Sequence, residues 1–353
     1  MLKEVLLTHT DLDGAGCRII YELRMLYSGL DKNKDWKVYH CNNNGPKGIN
    51  AISEDLIVSK EIGGETIVTI ADICPSKEVI EHLRDHCKEV YIFDHHFTAE
   101  FAKNIEGINA TIVSEASEGL SIRKESGTSL LWLEYVDRAT KDKNNFMYQM
   151  FDTSSVSKYK WDFIAYLVNE IRLYDTYEWK KENDLIARRL QLLWQLLRMD
   201  KFCNHYIKRI MMLESDEKLI YPEYDIFIDA KLDFTNETIS NFSKNDCYII
   251  DVKGYKTALV VKATMANVSE LAYQFLTKNP DIDIFALFSL YDGGTFAFRT
   301  QKDYINIGEF AESLGGGGHP KSAGASVPKE ILFDFYDQLF YWLNGLTGKV
   351  EEG

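Results

Sequence analysis

Short apolar runs alternate with helical hydrophobic patterns along the first part of the chain. Strands are predicted near residues 3–8, 37–41, 66–71, 89–93 and 110–114, and helices near 15–28, 49–57 and 76–87. Strands that alternate with helices in this way usually pair in parallel, and the helices cover both faces of the sheet. The pattern therefore predicts an α/β domain built on a mainly parallel sheet.

The remaining chain changes pattern twice. Helices are predicted near residues 130–136, 161–173 and 185–213. After residue 222 the predicted strands are 247–252, 257–263, 283–290 and 295–299, and the predicted helices are 267–277, 306–313 and 329–344. This second pattern predicts a smaller α/β domain with a mixed sheet. We predict a first domain over residues 1–184, a helical linker over 185–221 and a second domain over 222–353.

Composition adds limits on the class of protein. The 353 residues are 45% hydrophobic, which is enough for two cores of ordinary size. No apolar run approaches the length needed to cross a bilayer, and no signal-peptide pattern is present. Six scattered cysteines without a Cys-x-x-Cys pair argue against structural zinc and against a disulfide framework. We expect a cytoplasmic protein that does not bind membranes.

The net charge of −14 bears on the partner. Proteins that grip long nucleic acids usually carry a basic stripe, because phosphate neutralisation supplies most of the affinity. No dense basic run occurs here. The charge disfavours a processive nuclease and permits a small substrate that is held by a few cations and by metal.

Acidic and histidine residues follow three of the predicted strands. His9, Asp11 and Asp13 alternate after the first strand, so an extended chain directs all three to one side. The other strand ends carry Asp72 and the sequence Asp94-His95-His96. Carboxylates at one edge of a sheet repel each other unless cations lie between them. A mixed carboxylate and imidazole set suits Mn²⁺, and less specifically Zn²⁺ or Fe²⁺.

Two features of the second domain are candidates for anion binding. Arg299 ends a predicted strand, and its guanidinium can hold a phosphate with two hydrogen bonds. The glycine run 315–318 can offer its amides as an anion nest beside His319. In the first domain, residues 126–129 precede a helix with hydroxyl side chains and are a weaker candidate.

These residues also carry a family resemblance. The sequence His9-x-Asp11-x-Asp13-Gly14, the strand-end Asp72, Asp94-His95-His96 and Asp175 resembles the four ordered motifs of the DHH phosphoesterases. The run from Gly315 to Gly324 resembles the hallmark of the DHHA1 domain that accompanies them. The resemblance covers nearly the whole chain. Size and layout are most similar to the bacterial oligoribonucleases called nanoRNases, and the short first motif is similar to the NrnB type.

The resemblance implies two-metal hydrolysis of very short oligoribonucleotides to mononucleotides. It implies that Asp72 binds both Mn²⁺ ions, that His9 and Asp11 complete one metal site, and that Asp13, His95 and Asp175 complete the other. It gives His96 a contact with the scissile phosphate and Asp94 an orienting role. The residues implied to bind substrate, across a cleft between the domains, are Arg299, Gly316, Gly317, Gly318 and His319.

Several alternatives remain open at this point. A phosphodiesterase for cyclic or linear dinucleotides and a 3′-phosphoadenosine phosphatase would use the same chemistry. A RecJ-like single-strand DNA exonuclease is disfavoured by size and charge, and a pyrophosphatase by the kind of second domain. A non-catalytic nucleotide-binding protein would be favoured if metal ligands were missing. The sequence decides neither the choice of RNA or DNA nor the native metal, and it leaves open whether the chain is a monomer or a homodimer.

Overall fold

The computed structural model describes residues 2–43, 45–113, 115–118, 121–141, 155–182, 184–262, 268–289, 294–328, 330 and 331. The chain divides into two compact units, Met1–Leu232 and Asp233–Gly353. Each unit has its own sheet and its own cores.

The first unit is built on a five-stranded sheet. Its strands are β1 (Glu4–Thr8), β2 (Trp36–His40), β3 (Ile67–Ala71), β4 (Glu89–Asp94) and β5 (Asn109–Ile112). The order across the sheet is β2-β1-β3-β4-β5, and every pair in it is parallel. The prediction of a mainly parallel sheet is confirmed.

Helices cover both faces of this sheet. They are α1 (Leu12–Tyr27), α2 (Ile49–Val58), α3 (Lys77–His86), a 3₁₀ helix (Phe97–Asn104) and α4 (Gly127–Lys141). Successive side chains of a strand point to opposite faces. In β1, Leu6 packs into the core that α1 and α4 share, whereas Val5 and Leu7 pack into the core beneath α2 and α3. Alternate apolar side chains of one strand thus contribute to two cores, one on each face of the sheet.

Three further helices follow: α5 (Ser155–Asp175), α6 (Trp179–Glu182) and α7 (Leu185–Met212), and α7 has a kink at Arg198. The helices α5 and α7 complete the larger of these cores, whereas Trp179 of α6 packs with Leu173 and Ala187 in a separate small cluster. Leu190, Leu193 and Phe202 of α7 are fully buried in the core that contains α1. The segment predicted as a linker between domains therefore belongs to the first unit.

Some elements of the structure have no counterpart among the predictions. They include the hairpin of β6 (Glu115–Glu118) and β7 (Ser121–Lys124), the 3₁₀ helices Phe97–Asn104 and Pro222–Tyr224, the short helix α6, and α8 (Asp225–Asn241). The hairpin strands have four residues each and little apolar character. In α8, the apolar residues Ile226, Phe227 and Ile228 are consecutive, and only Ile228 of these is buried. Neither segment shows the periodicity that sequence reasoning requires.

The second unit contains a six-stranded sheet. Its strands are β8 (Tyr248–Val252), β9 (Tyr255–Lys262), β10 (Ile284–Ser289), β11 (Thr295–Arg299), β12 (Gly317–His319) and β13 (Ser322–Ser326). The order is β12-β13-β11-β10-β9-β8; β9 and β10 are parallel and the other neighbours are antiparallel. The predicted mixed sheet is confirmed.

The second sheet also has two apolar faces. The helical elements of this unit are a 3₁₀ helix (Lys244–Asp246), α9 (Val268–Lys278) and α10 (Ile307–Glu312). Along β10, Phe285 packs into the core of α9, whereas Ile284 packs into the core of α10. The predicted helix 329–344 lies outside the described residues, except for residues 330 and 331. None of the described helices is both long enough and apolar enough to span a membrane.

Candidate active site

The carboxyl ends of three adjacent strands lie side by side. Thr8 of β1 pairs with Ala71 of β3, and Ala71 is in turn level with Phe93 of β4. In strand order, the next residues are His9, Asp72 and Asp94. Because parallel strands end at the same edge of a sheet, these residues meet there, where open α/β folds bind ligands.

Asp72 leaves its strand in a left-handed backbone conformation, with a φ of 63°. Aspartate tolerates this conformation better than most residues with a side chain. The first residue of α4, Gly127, lies directly against it. A Cβ atom on Gly127 would lie 2.5 Å from Cβ and 2.8 Å from Cα of Asp72. The absence of a side chain at Gly127 thus allows α4 to begin at the strand end.

His9 and Asp11 form an ion pair at the start of α1. Asp11 is the N-cap of the helix and accepts a hydrogen bond from Gly14 N at 2.9 Å. His9 Nδ1 lies 2.7 Å from Asp11 Oδ2. Burial acts to raise the pKa of Asp11, but His9 and the Gly14 amide together hold it below its usual range. Burial acts to lower the pKa of His9, and the charge of Asp11 outweighs this effect and raises it.

Asp13 is held by the beginning of α4. It is 1% exposed, and its carboxylate accepts hydrogen bonds from Gly127 N at 2.6 Å and from Thr128 N at 3.0 Å. Thr128 Oγ1 also donates to the backbone carbonyl of Asp13 at 2.6 Å. The amides at a helix N-terminus stabilise negative charge. The candidate segment 126–129 therefore binds a carboxylate of the site.

His95 lies between two carboxylates. Its Nε2 is 3.4 Å from Asp72 Oδ1 and 3.3 Å from Asp175 Oδ2. Asp175 is the last residue of α5, so the packing of this helix onto α1 and α4 brings its end to the strand edge. Both distances are too long for strong direct hydrogen bonds, and such spacing suits side chains that share a cation.

Asp94 orients the turn that carries the two histidines. Its Oδ1 accepts from His95 N at 2.7 Å, from His96 N at 3.1 Å and from His96 Nδ1 at 2.6 Å. Burial acts to raise the pKa of Asp94, but the charges and hydrogen bonds of the two histidines lower it overall. Asp94 is thus an ionised acceptor that fixes the ring of His96.

Two carboxyl groups of the site have raised pKa values and an oxygen without a hydrogen-bond donor in the described part of the chain. Burial raises the pKa of Asp72 well above its usual range, and repulsion from Asp11, Asp13 and Asp175 adds to this. Burial also raises the pKa of Asp175, with repulsion from Asp13 and Asp11. Among the described residues, no hydrogen-bond donor reaches Oδ2 of Asp72 or Oδ2 of Asp175. Buried oxygens of this kind are the sites that a cation would satisfy.

The side chains form three overlapping groups that could hold metal ions. Within each group, one nitrogen or oxygen atom per residue lies within 4.8 Å of the others. The groups are Asp72 with Asp94, His95 and His96; His9 with Asp11 and Asp72; and Asp13 with His95 and Asp175. All eight predicted site residues of the first unit therefore lie in one cluster, and Asp72 and His95 each belong to two groups.

The sequence reasoning did not select His40, which borders this cluster. His40 Nδ1 lies 3.3 Å from the carbonyl oxygen of His9. Its Nε2 lies 3.4 Å from Nη1 of the buried Arg18, which also binds Asp200 at 2.6 Å. The available signal was its place at the end of β2, beside the strand that leads to His9.

The predicted substrate-binding residues lie in the second unit. Arg299 ends β11; its Nε and Nη2 are each 3.1 Å from Ser269 Oγ, and its Nη1 donates to the carbonyl of Phe298. Ser322 of β13 is paired with Arg299 on one side and with His319 of β12 on the other. The second half of the glycine run, Gly317 and Gly318, therefore belongs to the edge strand β12, and Gly316 precedes this strand.

Comparison with known proteins agrees with this architecture. A model of the DHHA1 domain matches residues 254–345. The "Oligoribonuclease NrnB" of Bacillus subtilis (strain 168) is 26% identical over 340 residues, which are 95% of this chain and 75% of that protein. The second unit of the chain therefore contains a DHHA1 domain. A second relative is the "3′,5′-cyclic-nucleotide phosphodiesterase" of Helicobacter pylori (strain ATCC 700392 / 26695), which is 21% identical over 372 residues, or 93% of each chain.

A solved structure shares the fold of this chain. It is RecJ from Thermus thermophilus in complex with Mn²⁺, with a TM-score of 0.50 and 13% sequence identity. The match covers 99% of this chain and 53% of that one. At this identity the likeness concerns the fold alone.

Proposed function

We propose that this protein hydrolyses phosphodiester bonds in very short oligoribonucleotides and releases mononucleotides. One observation carries the proposal: eight acidic and histidine side chains form a single cluster in which three buried carboxylate oxygens, Oδ2 of Asp72, Asp94 and Asp175, lack donors among the described residues. The named activity of the Bacillus subtilis relative supports the choice of substrate.

The cluster fits a pair of divalent ions, for which we propose Mn²⁺. We assign Asp72 to both ions, His9 and Asp11 to one, and Asp13, His95 and Asp175 to the other. This assignment is supported by the raised pKa of Asp72 and of Asp175, because burial and mutual repulsion disfavour both charges until cations are added. Two divalent ions held by these residues would supply a nucleophile from water near neutral pH and would stabilise charge on phosphoryl oxygens.

The protein's own side chains orient the substrate and carry protons. Asp94 fixes the ring of His96 through Nδ1, and we assign His96 Nε2 to the scissile phosphate, where it stabilises developing charge and can supply a proton to the leaving oxygen. The hydrogen bonds from the Gly127 and Thr128 amides hold the Asp13 carboxylate in place. In the second unit, we assign Arg299, Gly316, Gly317, Gly318 and His319 to the substrate phosphate and its nucleotide.

The proposal also concerns the length of the substrate and the compartment in which the protein works. The net charge of −14 favours a short substrate over a long polyanion. All six cysteines are unpaired, which suits a reducing cytoplasm.

A second candidate activity is hydrolysis of cyclic nucleotides or dinucleotides, and the named activity of the Helicobacter pylori relative favours it.

The test is an assay with Mn²⁺ and a ladder of RNA oligomers from the dinucleotide upward. Cyclic dinucleotides and 3′-phosphoadenosine 5′-phosphate are assayed in parallel. We expect the shortest RNAs to be converted fastest, and to mononucleotides. Faster turnover of the cyclic species would select the second candidate. The Asp72→Ala variant should lose activity on every substrate, and retained activity would contradict the two-metal proposal.

A further inference from the structure

A pair of histidines lies on α3, on the surface of the first unit. His82 and His86 are one helical turn apart, and residues at this spacing share one face of a helix. Their ring centroids are 4.3 Å apart. Glu54 of the neighbouring helix α2 lies beside them, and its carboxylate oxygens are 2.8 and 3.0 Å from His82 Nδ1.

These contacts determine which nitrogen of His82 carries hydrogen. A carboxylate only accepts hydrogen bonds, so His82 Nδ1 must be the donor in its bond to Glu54. In the neutral ring, the lone pair is then on Nε2. A carboxylate that accepts from the second nitrogen of a histidine is the usual support for metal-binding histidines, because it fixes the ring and increases its basicity.

His86 has the same tautomer for a different reason. Its Nδ1 lies 2.8 Å from the backbone carbonyl oxygen of His82, which also can only accept. In the part of the chain that the structure describes, neither Nε2 of this pair has a hydrogen-bond partner. Both neutral rings therefore keep a lone pair on Nε2, and both rings lie on the same helical face.

We propose that His82 and His86 bind a divalent transition-metal ion at this surface, with Glu54 as the supporting carboxylate. Imidazole nitrogens suit Zn²⁺, Ni²⁺ and Cu²⁺, whereas Mg²⁺ and Ca²⁺ prefer oxygen ligands. Two histidines at this spacing on a helix are a recurrent ligand pair for zinc. Two protein ligands leave the other coordination positions to water or to an exogenous group.

This surface site is separate from the candidate active site. His86 ends α3 shortly before β4 begins at Glu89, whereas the cluster lies at the other end of that strand, after Asp94. A strand of six residues spans about 20 Å. The two sites therefore lie at opposite edges of the sheet, and binding at one is measurable without the other.

The test is a titration of the full-length, tag-free protein with Zn²⁺ alone, followed by the imidazole C–H signals in NMR and by calorimetry. We expect the signals of His82 and His86 to shift together, with one equivalent of bound Zn²⁺ that His82→Gln and His86→Gln each remove. Glu54→Ala should lower the affinity for this Zn²⁺ ion about 10-fold or more. His205→Gln, a histidine on α7 without a neighbouring histidine on its helix, is the matched control and should bind as the wild type does.

A rescue variant separates ligation from a structural role. Asp85 lies three residues after His82 and so shares its helical face. Asp85→His combined with His86→Gln should restore the lost Zn²⁺ equivalent. Unchanged Zn²⁺ stoichiometry and affinity in His82→Gln and His86→Gln would overturn the proposal, as would signals of the two histidines that do not respond to Zn²⁺.

Discussion

At the scale of single residues, Asp72 combines three unfavourable features. It is 3% exposed, its backbone is left-handed, and three other carboxylates raise its pKa. A left-handed conformation costs a residue with a side chain about 1 kcal/mol, and buried like charges add to the cost. Residues held in such a state are concentrated at functional sites, where other parts of the structure compensate. Asp72 should therefore lower the free energy of unfolding of the metal-free protein.

We predict that Asp72→Asn stabilises the metal-free protein, and more so at high pH. A carboxyl group whose pKa is raised by folding contributes its full stability below its unfolded pKa, and loses it as the pH rises through the folded value. The wild type should lose this contribution as the pH rises from the ordinary carboxyl range through the raised pKa of Asp72, whereas the asparagine variant has no carboxyl group to lose it. Thermal unfolding in EDTA should show a Tm difference that grows with pH to about 3 °C or more.

Asp94→Asn is the control with the opposite sign. The pKa of Asp94 is lowered by its histidine neighbours, so its charge stabilises the fold above the ordinary carboxyl range and the variant should unfold at a lower temperature. If Asp72→Asn were no more stable than the wild type near pH 8 in EDTA, the charge repulsion assigned to this cluster would be wrong.

Individual strand ends were predictable from sequence, but their partners were not. Asp72 and Asp94 follow apolar runs, and the rule that ligands bind at carboxyl ends of strands led to them directly. The contact of Gly127 with Asp72 joins residues 55 positions apart, and no local pattern reports it. His40 was missed because a single histidine at the end of a strand is a weak signal by itself.

At the scale of elements, the beginning of α4 contacts two residues of the acidic and histidine cluster and holds them in place. Its first amides bind Asp13, and its first residue packs on the backbone of Asp72. The helix thus fixes the distance between residues that come from two different strand ends. Such support from a helix end is more rigid than support from a loop.

We predict that Gly127→Ala destabilises the protein by about 1–3 kcal/mol, because a methyl group there overpacks against backbone atoms that cannot move aside. Activity should fall about 10-fold or more, since α4 would be displaced from Asp13 and Asp72. Gly64→Ala is the matched control: no atom of the described chain lies within 4 Å of the new methyl group, and stability should change by less than about 0.5 kcal/mol. Equal behaviour of the two variants in urea unfolding and in the RNA assay would contradict this role of α4.

Elements with strong periodicity were predictable, and their membership in a unit was not. The nine predicted strands and the helices α1 to α3 agree with the structure within a few residues, whereas β6, β7, β12 and β13 were not predicted. The long helix α7 was also predicted, but its burial against α1 and α5 depends on contacts far apart in sequence. Periodicity shows that a helix has an apolar face and does not show which core receives it.

At the scale of the whole molecule, the predicted site residues are divided between the two units. The metal-binding candidates belong to Met1–Leu232, and the candidates for substrate binding belong to Asp233–Gly353. Arg299 is held by Ser269 and by the carbonyl of Phe298, so its guanidinium is ordered before substrate arrives. This division predicts that variants of the second unit affect binding more than chemistry.

Arg299→Ala should therefore raise KM for the dinucleotide about 10-fold or more and leave kcat nearly unchanged, because a charge-assisted phosphate contact is worth about 1.5–3 kcal/mol. Lys244→Ala removes a positive charge from the same unit, where it pairs with Asp281, and serves as the control with little effect on KM. Steady-state kinetics of both variants distinguish the effects. A KM that does not change in Arg299→Ala would remove this residue from the substrate site.

The most direct test of the central claim is an anomalous diffraction map from crystals of the protein soaked with Mn²⁺. The proposed assignment predicts two manganese peaks at the carboxyl edge of the first sheet, both coordinated by Asp72, with His95 and Asp175 on one of them. Absence of manganese from this cluster under saturating conditions, or ions that contact neither Asp72 nor Asp175, would contradict it.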